Sequence, residues 1–399
     1  MNNLEELENK YGTPDILIDS SEEQRSRYAV WGYSDIFEIN EKGSFLNNEL
    51  IKGEPLEIFQ QILDDWKKAD NEISCLGFLS YDLNKIIYKN IEFRNQTSDH
   101  DFPYLWFCKP KFIQKYKYDH SSKIKKSKLK QVQDLMPLNH YSDKIKSIKN
   151  YLSNGDVYQI NFTTNKLFKS TFDSSYELYK ALRNEICAKE GLYFKTNNHD
   201  ILSFSPESFI RIKNKNISTY PIKGTRPRSS NLDIDSDFKE QLVNSKKDRA
   251  EHLMIVDLMR NDLGKICETD SVVVENLYNI ESFKTVHHMV SEIKGKIIED
   301  VNEVDIIRAL FPGGSITGAP KESAMKIINT LESKKRNIYT GSAGYICNNG
   351  DMYFNICIRT LLKHKNIYEY GIGGGIVWDS NPEDEWNEAN QKSKILELL

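Results

Sequence analysis

The sequence predicts an α+β fold built on large, mainly antiparallel β-sheets. Strand-like and helix-like segments mix along the chain without the regular strand–helix alternation of a Rossmann fold. The first 110 residues carry short aromatic-rich runs, such as residues 28–33 and 76–81, separated by polar stretches, which is typical of a sheet-rich region. We find no internal period of about 20 to 50 residues, which argues against a solenoid or propeller.

Individual elements can be placed in chain order. A helix is expected near residues 56–66. Ser142 can cap a second helix whose apolar positions share one face, and Gly155 suits its end. Residues 158–164 alternate apolar and polar side chains, as a half-buried strand does. Residues 248–264 have a nearly continuous apolar middle, which predicts a buried helix.

Composition bounds the class of protein. The chain has 399 residues, of which 39% are apolar and 28% charged, and its net charge is −4, which is ordinary for a soluble globular protein and argues against a nucleic-acid partner. The six cysteines form no Cys-x-x-Cys pair, the N-terminus is acidic rather than signal-like, and no apolar run suits a membrane span. We therefore expect a cytoplasmic protein that does not bind a membrane.

The last helix predicted from the sequence carries acidic residues one turn apart. Asn381 can start it, and Glu385, Glu388 and Lys392 then share one face. Two such carboxylates can share a divalent cation, and the lysine can hold a substrate anion. An exposed, salt-bridged face is the alternative interpretation.

Glu251 is an acidic residue on the apolar face of the helix at 248–264. A lone buried charge costs several kcal/mol unless it is paired or bound to a metal. A metal ion and a buried ion pair with Arg249 or Arg260 are both compatible with this position.

Lys223 lies between two prolines, Pro221 and Pro227, and is followed by Gly224, which allows an unusual backbone turn. A lysine held on a stiff, partly desolvated loop loses affinity for its proton and can act as a nucleophile. A solvent-facing turn lysine is the alternative.

Two glycine-rich loops can approach an anion. Residues 311–321 (FPGGSITGAPK) suit anion binding through backbone N–H groups, but Ala319 and Pro320 stand where a P-loop has Lys and Ser or Thr, which excludes a nucleotide triphosphatase of that type. Residues 371–375 (GIGGG) lack the third glycine of a dinucleotide fingerprint, and would let a carboxylate approach bare backbone.

Together these segments resemble the chorismate-utilising enzymes. The matching segments, in the family's order, are SPE at 205–207, PIKGTRPR at 221–228, the helix at 248–264, VHHMVS at 286–291, the loop at 311–321, YTGSAGY at 339–345, FNICIRT at 354–360 and residues 373–392. The resemblance implies an anthranilate synthase component I-like fold, with antiparallel sheets packed as a sandwich and helices outside. It also implies a variable N-terminal part at 1–135, interwoven with the sheets, and a chorismate-binding catalytic region at 136–399.

The residue at position 223 separates branches of the family. Anthranilate and isochorismate synthases usually have Pro-Ile-Ala-Gly-Thr where this chain has Lys223, as aminodeoxychorismate synthase component I does. The resemblance therefore implies conversion of chorismate and ammonia to 4-amino-4-deoxychorismate, in the 4-aminobenzoate branch of folate synthesis. An anthranilate synthase component I with an unusual lysine and a non-catalytic chorismate-binding subunit are the alternatives.

The resemblance also implies roles for single residues. Glu207 matches the general acid that protonates the departing C4 hydroxyl, and Lys223 matches a nucleophile that adds at C2 before ammonia attacks C4. His288 matches a histidine near the ring carboxylate, and Thr225 matches a hydroxyl that contacts the substrate.

Further positions would hold the substrate and a metal ion. The substrate-binding positions implied are Gly224, Ser315, Tyr345, Arg359, Gly374, Gly375 and Lys392. Glu251 and Glu388 match Mg²⁺ ligands, with Glu385 close by. Since nothing in the chain resembles a glutaminase, we expect a separate glutamine amidotransferase subunit to supply ammonia and a separate lyase to remove pyruvate.

Overall fold

The computed structural model describes residues 2–22, 25–69, 72–119, 128–283 and 286–398. The helices are α1 (Leu4–Tyr11), α2 (Pro55–Trp66), α3 (Asn84–Ile87), α4 (Leu138–Ser153), α5 (Ser175–Ile186), α6 (Leu232–Asn244), α7 (Lys246–Gly264), α8 (Glu303–Leu310), α9 (Lys321–Leu331) and α10 (Pro382–Ser393). Short 3₁₀ helices span Tyr81–Leu83, Gly314–Ile316 and Lys394–Leu398.

The strands are β1 (Ile16–Asp19), β2 (Tyr28–Asn40), β3 (Gly43–Leu46), β4 (Glu49–Ile51), β5 (Ile73–Leu79), β6 (Leu105–Lys115), β7 (Leu129–Gln133), β8 (Gln159–Ser170), β9 (Glu190–Lys195), β10 (His199–Ser205), β11 (Ser208–Lys213), β12 (Asn216–Thr219), β13 (Ile222–Pro227), β14 (Val273–Ser282), β15 (Val286–Lys296), β16 (Gly318–Ala319), β17 (Ser342–Cys347), β18 (Met352–Ile356), β19 (Thr360–His364) and β20 (Ile367–Ile376).

These strands pair antiparallel in one continuous ladder. Its order is β7-β8-β20-β19-β10-β9-β1-β2-β6-β5-β17-β18-β11-β12-β15-β14, with β13 continuing beside β15 where β12 ends. Strands from the N-terminal part lie inside this order, since β1 pairs with β9 and β5 with β17. The boundary at 135/136 stays a prediction.

The ladder folds back so that its two halves pack face to face. Phe194 on β9 meets Phe78 on β5 and Trp106 on β6, with ring centroids 6.2 and 6.5 Å apart. These aromatic rings belong to a buried core to which both halves contribute. Helices α2, α4, α7, α8 and α9 cover another face through a second, larger apolar cluster. The α+β class and the face-to-face packing of antiparallel strands are therefore confirmed.

Most element predictions are confirmed, and one boundary is wrong. Helices α2 and α7 and strand β8 form where expected, and the Asn381 side chain caps α10 by accepting from two backbone N–H groups. Helix α4 begins at Leu138, so Ser142 lies inside the helix instead of capping it. The extra first turn places Tyr141 on the buried face with Ile145, and that burial outweighs the capping preference of a serine.

No helix in the described part of the chain combines the length and the apolar character that crossing a bilayer requires.

Candidate active site

Strand β13 and helix α10 approach each other at the glycine-rich part of β20. A methyl group added at Gly375 would lie 3.5 Å from Nζ of Lys223 on β13 and 2.7 Å from Nε2 of Gln159 on β8. One added at Gly374 would lie 3.5 Å from Glu385 Oε2 and 3.6 Å from Lys392 Nζ. The bare backbone of β20 therefore borders both the strand that carries Lys223 and helix α10.

Lys223 and Glu207 are joined through Ser315. The Ser315 hydroxyl donates to Glu207 Oε1 at 2.7 Å, and Lys223 Nζ donates to the Ser315 carbonyl at 3.3 Å. Burial raises the pKa of Glu207 to about 7, although the Ser315 hydrogen bond and Lys223 oppose the rise. Burial also lowers the pKa of Lys223, against the attraction of Glu207 and Glu251. The two shifts bring the pKa of the carboxyl group and the pKa of the amine closer together.

Gly224 shapes the strand that carries Lys223. Its φ of +73° lies in the left-handed region, and the pairing of β13 with β15 shifts register between Lys223 and Thr225. The bulge places Thr225 directly opposite His288, with Thr225 Oγ1 2.9 Å from His288 Nδ1. Any side chain at Gly224 would also clash with Leu242 on helix α6, because an added methyl group would lie 2.8 Å from Leu242 Cδ1.

His288 and Arg359 each present a polar side-chain group that has no hydrogen-bond partner in the described part of the chain. His288 Nε2 is buried and makes no hydrogen bond to any described residue. Burial and the nearby Arg359 lower the pKa of His288 to about 3, so its imidazole is neutral. Burial likewise lowers the pKa of Arg359, and its guanidinium makes no hydrogen bond or ion pair within the described ranges. A desolvated guanidinium without a counter-ion suits a substrate carboxylate.

Helices α7 and α10 carry three carboxylates that act on one another electrostatically. Burial raises the pKa values of Glu251 and Glu385, and repulsion from Glu385 and Glu388 respectively adds to the rise. Lys392 lowers the pKa of Glu388, whose Oε1 lies 2.8 Å from Lys392 Nζ. Carboxylate oxygens are the donors that Mg²⁺ prefers, and a divalent cation would relieve the repulsion between these groups. Glu251, Glu385 and Glu388 therefore fit a magnesium site by the chemistry of their donors.

Comparison with known proteins identifies the family of this chain. Residues 13–397 match the family described as chorismate binding enzyme. The chain belongs to this family. The resemblance read from the sequence is thereby confirmed.

Curated relatives of this chorismate binding enzyme carry two kinds of name. Aminodeoxychorismate synthase component 1 of Escherichia coli is 42% identical over 269 residues, which cover 67% of this chain and 59% of that protein. The Salmonella typhimurium protein of the same name is 41% identical, and the match spans 57% of its length. Anthranilate synthase component 1 of Saccharolobus solfataricus is 33% identical over 87% of this chain and 86% of its own length.

A solved structure also supports the fold. Anthranilate synthase component I from Streptococcus pneumoniae superposes with a TM-score of 0.80 at 23% identity, covering 95% of this chain and 93% of that one. This likeness confirms the predicted anthranilate synthase component I-like fold.

One predicted residue of this chorismate binding enzyme lies away from the cluster. The ring of Tyr345 stacks on Tyr353 at 5.3 Å and meets Tyr28 at 5.4 Å, within the aromatic core between the halves of the ladder. Tyr339, in the turn before β17, packs against β20 instead, since a methyl group added at Gly371 on that strand would be 2.1 Å from the Tyr339 Cγ. Both tyrosines occur in the YTGSAGY segment, and motif position alone does not show which one faces β20.

Other site residues were missed from the sequence. Asp248 lies one turn before Glu251 on α7, adds to the rise in the pKa of Glu251 and accepts a 3.0 Å hydrogen bond from Arg226. The i, i+3 spacing of the two acids is a signal that could have found it. Gln159 has a buried side-chain amide, neither end of which bonds to a described residue. No local pattern marks this glutamine.

Lys321, in the glycine-rich segment at 311–321, has a structural position. Its Nζ lies 2.5 Å from Asp262 Oδ2 and 3.0 Å from the Leu310 carbonyl, and both charged side chains are buried. Lys265 Nζ also lies 2.8 Å from the other Asp262 oxygen. Lys321 thus connects α9 to α7 and to the end of α8.

Proposed function

We propose that this enzyme converts chorismate and ammonia to 4-amino-4-deoxychorismate and water. The observation that carries the proposal is the placement of the half-buried Lys223 amine beside Glu207, with Ser315 hydrogen-bonded to both side chains. The names of the Escherichia coli and Salmonella typhimurium relatives support the same activity.

The first half of the reaction uses Lys223 and Glu207. Nζ of Lys223 forms a bond to C2 of the ring, the double bonds shift, and the C4–O bond breaks. Glu207 donates its proton to the leaving hydroxyl, which departs as water, and the resulting carboxylate accepts the proton that the lysine nitrogen loses. The raised pKa of Glu207 and the lowered pKa of Lys223 favour the protonation states that this step needs.

The second half restores the lysine. Ammonia forms a bond to C4, the double bonds shift back, and the bond between C2 and Nζ breaks. The proton released from the attacking nitrogen returns through Glu207 to Lys223. Two successive displacements across the conjugated ring thus place nitrogen at C4, whereas direct attack of ammonia at C2 leads toward anthranilate.

The remaining groups would bind the two substrate carboxylates. We assign one carboxylate to the unpaired guanidinium of Arg359, with Lys392 and the bare backbone at Gly374 nearby. Glu251, Glu385 and Glu388 would hold Mg²⁺, which supplies positive charge for the other carboxylate.

Ammonia delivery is a separate part of the proposal. The relatives' names contain the term "component 1", which supports a second component. We propose a glutamine amidotransferase subunit as that partner.

The deciding experiment is an assay of the purified chain with chorismate, Mg²⁺ and an ammonium salt. Products are resolved by mass and by fluorescence, with chelator-treated and ammonium-free reactions as controls. We expect 4-amino-4-deoxychorismate. The 33% identical Saccharolobus solfataricus relative favours anthranilate synthesis as the second candidate, and anthranilate as the main product would establish it. Absence of turnover at any pH, with chorismate still bound, would indicate a non-catalytic subunit.

A further inference from the structure

Three histidines from distant parts of the chain come together at the far end of the β19–β20 hairpin. His199 begins β10 and His364 ends β19, and these two residues are direct partners in the antiparallel register. His100, from the segment before β6, packs over them, with ring centroids 4.8 Å from each. One ring nitrogen from each histidine lies within 4.8 Å of the others.

The spacing of these nitrogens suits a shared metal ion. His199 Nε2 and His100 Nδ1 are 3.1 Å apart. Two imidazole nitrogens bound tetrahedrally at about 2.0–2.1 Å from Zn²⁺ are separated by about 3.3 Å. A metal could therefore replace the hydrogen bond between these rings with little movement of either residue.

The third histidine has a nitrogen to offer. His364 Nδ1 is buried and makes no hydrogen bond to any residue in the described ranges. An unpaired buried nitrogen has a cost in free energy that a metal ion would remove.

The carboxylate of Glu369 lies next to the three histidines, on the side of His100. Glu369 on β20 places Oε2 3.9 Å from His100 Nε2, the nitrogen that faces away from His199, and its other oxygen accepts from Asn165. Histidine ligands in metal sites commonly direct their second nitrogen at a carboxylate, which fixes the ring and increases its basicity.

From these contacts we infer that His100, His199 and His364 form a binding site for a divalent transition metal of the Zn²⁺ class. It differs from the proposed magnesium site in donor chemistry, because imidazole nitrogen suits Zn²⁺ and Co²⁺, whereas Mg²⁺ takes oxygen donors. It also differs in place, since Arg359 directly precedes β19 and His364 ends that strand, four residues and about 13 Å of strand rise after Thr360.

The bound metal would join three chain segments that are far apart in sequence. The loop that carries His100 would be held against the β10–β19 pair, and unfolding would require release of the ion. We therefore assign this site a structural role, in which it joins the N-terminal part of the chain, through His100, to strands β10 and β19.

The test uses the full chain, purified without a histidine tag and stripped with EDTA. Titration with Co²⁺ should give one equivalent of a strong visible absorption band, which tetrahedral nitrogen ligation produces and an octahedral oxygen shell does not. Zn²⁺ should displace the band and raise Tm, whereas excess Mg²⁺ should leave the band unchanged.

Variants locate the ligands. His100→Ala should lose the band and weaken Zn²⁺ binding at least about 100-fold, and Glu369→Gln should weaken it about 10- to 100-fold. His140→Ala, an exposed histidine on α4, and His288→Gln, in the candidate active site, should retain the band. A circular dichroism spectrum matching that of the parent chain shows that each variant is folded.

Two results would overturn the inference. The first is the absence of a saturable Co²⁺ band in the folded parent chain, which would leave the three rings as ordinary packing. The second is a band that survives His100→Ala but disappears in His288→Gln, which would place the metal in the candidate active site.

Discussion

The hydroxyl of Ser315 donates a 2.7 Å hydrogen bond to Oε1 of Glu207, inside a buried pocket. This bond stabilises the carboxylate form and so restrains the rise in the Glu207 pKa that burial causes. The strength of the proposed general acid therefore depends on a residue from the glycine-rich segment at 311–321.

Ser315→Ala should change the pH profile in a defined direction. Loss of the hydrogen bond raises the pKa of Glu207 further, by about one unit. Because a general acid must be protonated, the descending limb of kcat/KM, expected near pH 7 in the parent, should move to higher pH. Ser34→Ala, at an exposed serine on β2, is the control. An unchanged or downward-shifted limb would contradict this role for Ser315.

Lys223→Ala should abolish 4-amination or redirect the product. The variant lacks the amine that adds at C2, so product mass and fluorescence should show no 4-amino-4-deoxychorismate. Lys213→Ala, at an exposed lysine on β11, should match the parent chain. An unchanged rate and product in Lys223→Ala would show that the covalent mechanism is wrong.

Glu388→Ala should remove Mg²⁺-dependent activity. The variant lacks one of the three carboxylates and frees Lys392 from its 2.8 Å contact, so the cation loses a ligand and gains a repulsive neighbour. Rate against Mg²⁺ concentration is the measurement. Asp384→Asn, at an exposed position on α10, should retain the parent curve. If Glu388→Ala does so as well, the metal binds elsewhere.

Arg359→Lys should raise KM for chorismate about 10- to 100-fold, the cost of losing paired charge-assisted hydrogen bonds. An ammonium group presents a single point of charge where the guanidinium presents a fork. Steady-state kinetics measures the change, with Arg260→Lys on the exposed face of α7 as control. A KM within twofold of the parent value would rule out Arg359 as the carboxylate anchor.

Lys321→Met should destabilise the fold by about 3 kcal/mol, because Asp262 would keep its burial but lose its closest cation. Urea unfolding measures the loss, and Lys326→Met, at an exposed lysine on the same helix, should change stability little. Equal effects of the two substitutions would show that the buried ion pair contributes nothing specific.

Local patterns predicted the elements well because they depend on neighbours in sequence. Asn381 caps α10 as expected, since capping is satisfied within one turn. The start of α4 was misplaced because Tyr141 extends the buried face of that helix, and its burial depends on contacts with residues distant in the chain, such as Phe162.

The candidate site divides in the same way. Lys223, Glu251 and Glu388 stood out by spacing and composition, and the structure brings their helices and strand together. Asp248, Gln159 and the choice between Tyr339 and Tyr345 required knowledge of which face each residue presents. Sheet register and the folding of the ladder decide which side of the sheet each residue occupies. The spacing of residues within a motif does not contain that information.

The sequence by itself determined the family, the α+β class and the chemical types of the groups at the candidate site. Only the tertiary structure decided their protonation and the cluster of His100, His199 and His364. Burial sets the pKa of Glu207, and burial is a property of the closed fold. The three histidines are separated by 99 and 165 positions in the chain, so long-range strand pairing, not local periodicity, brings them together.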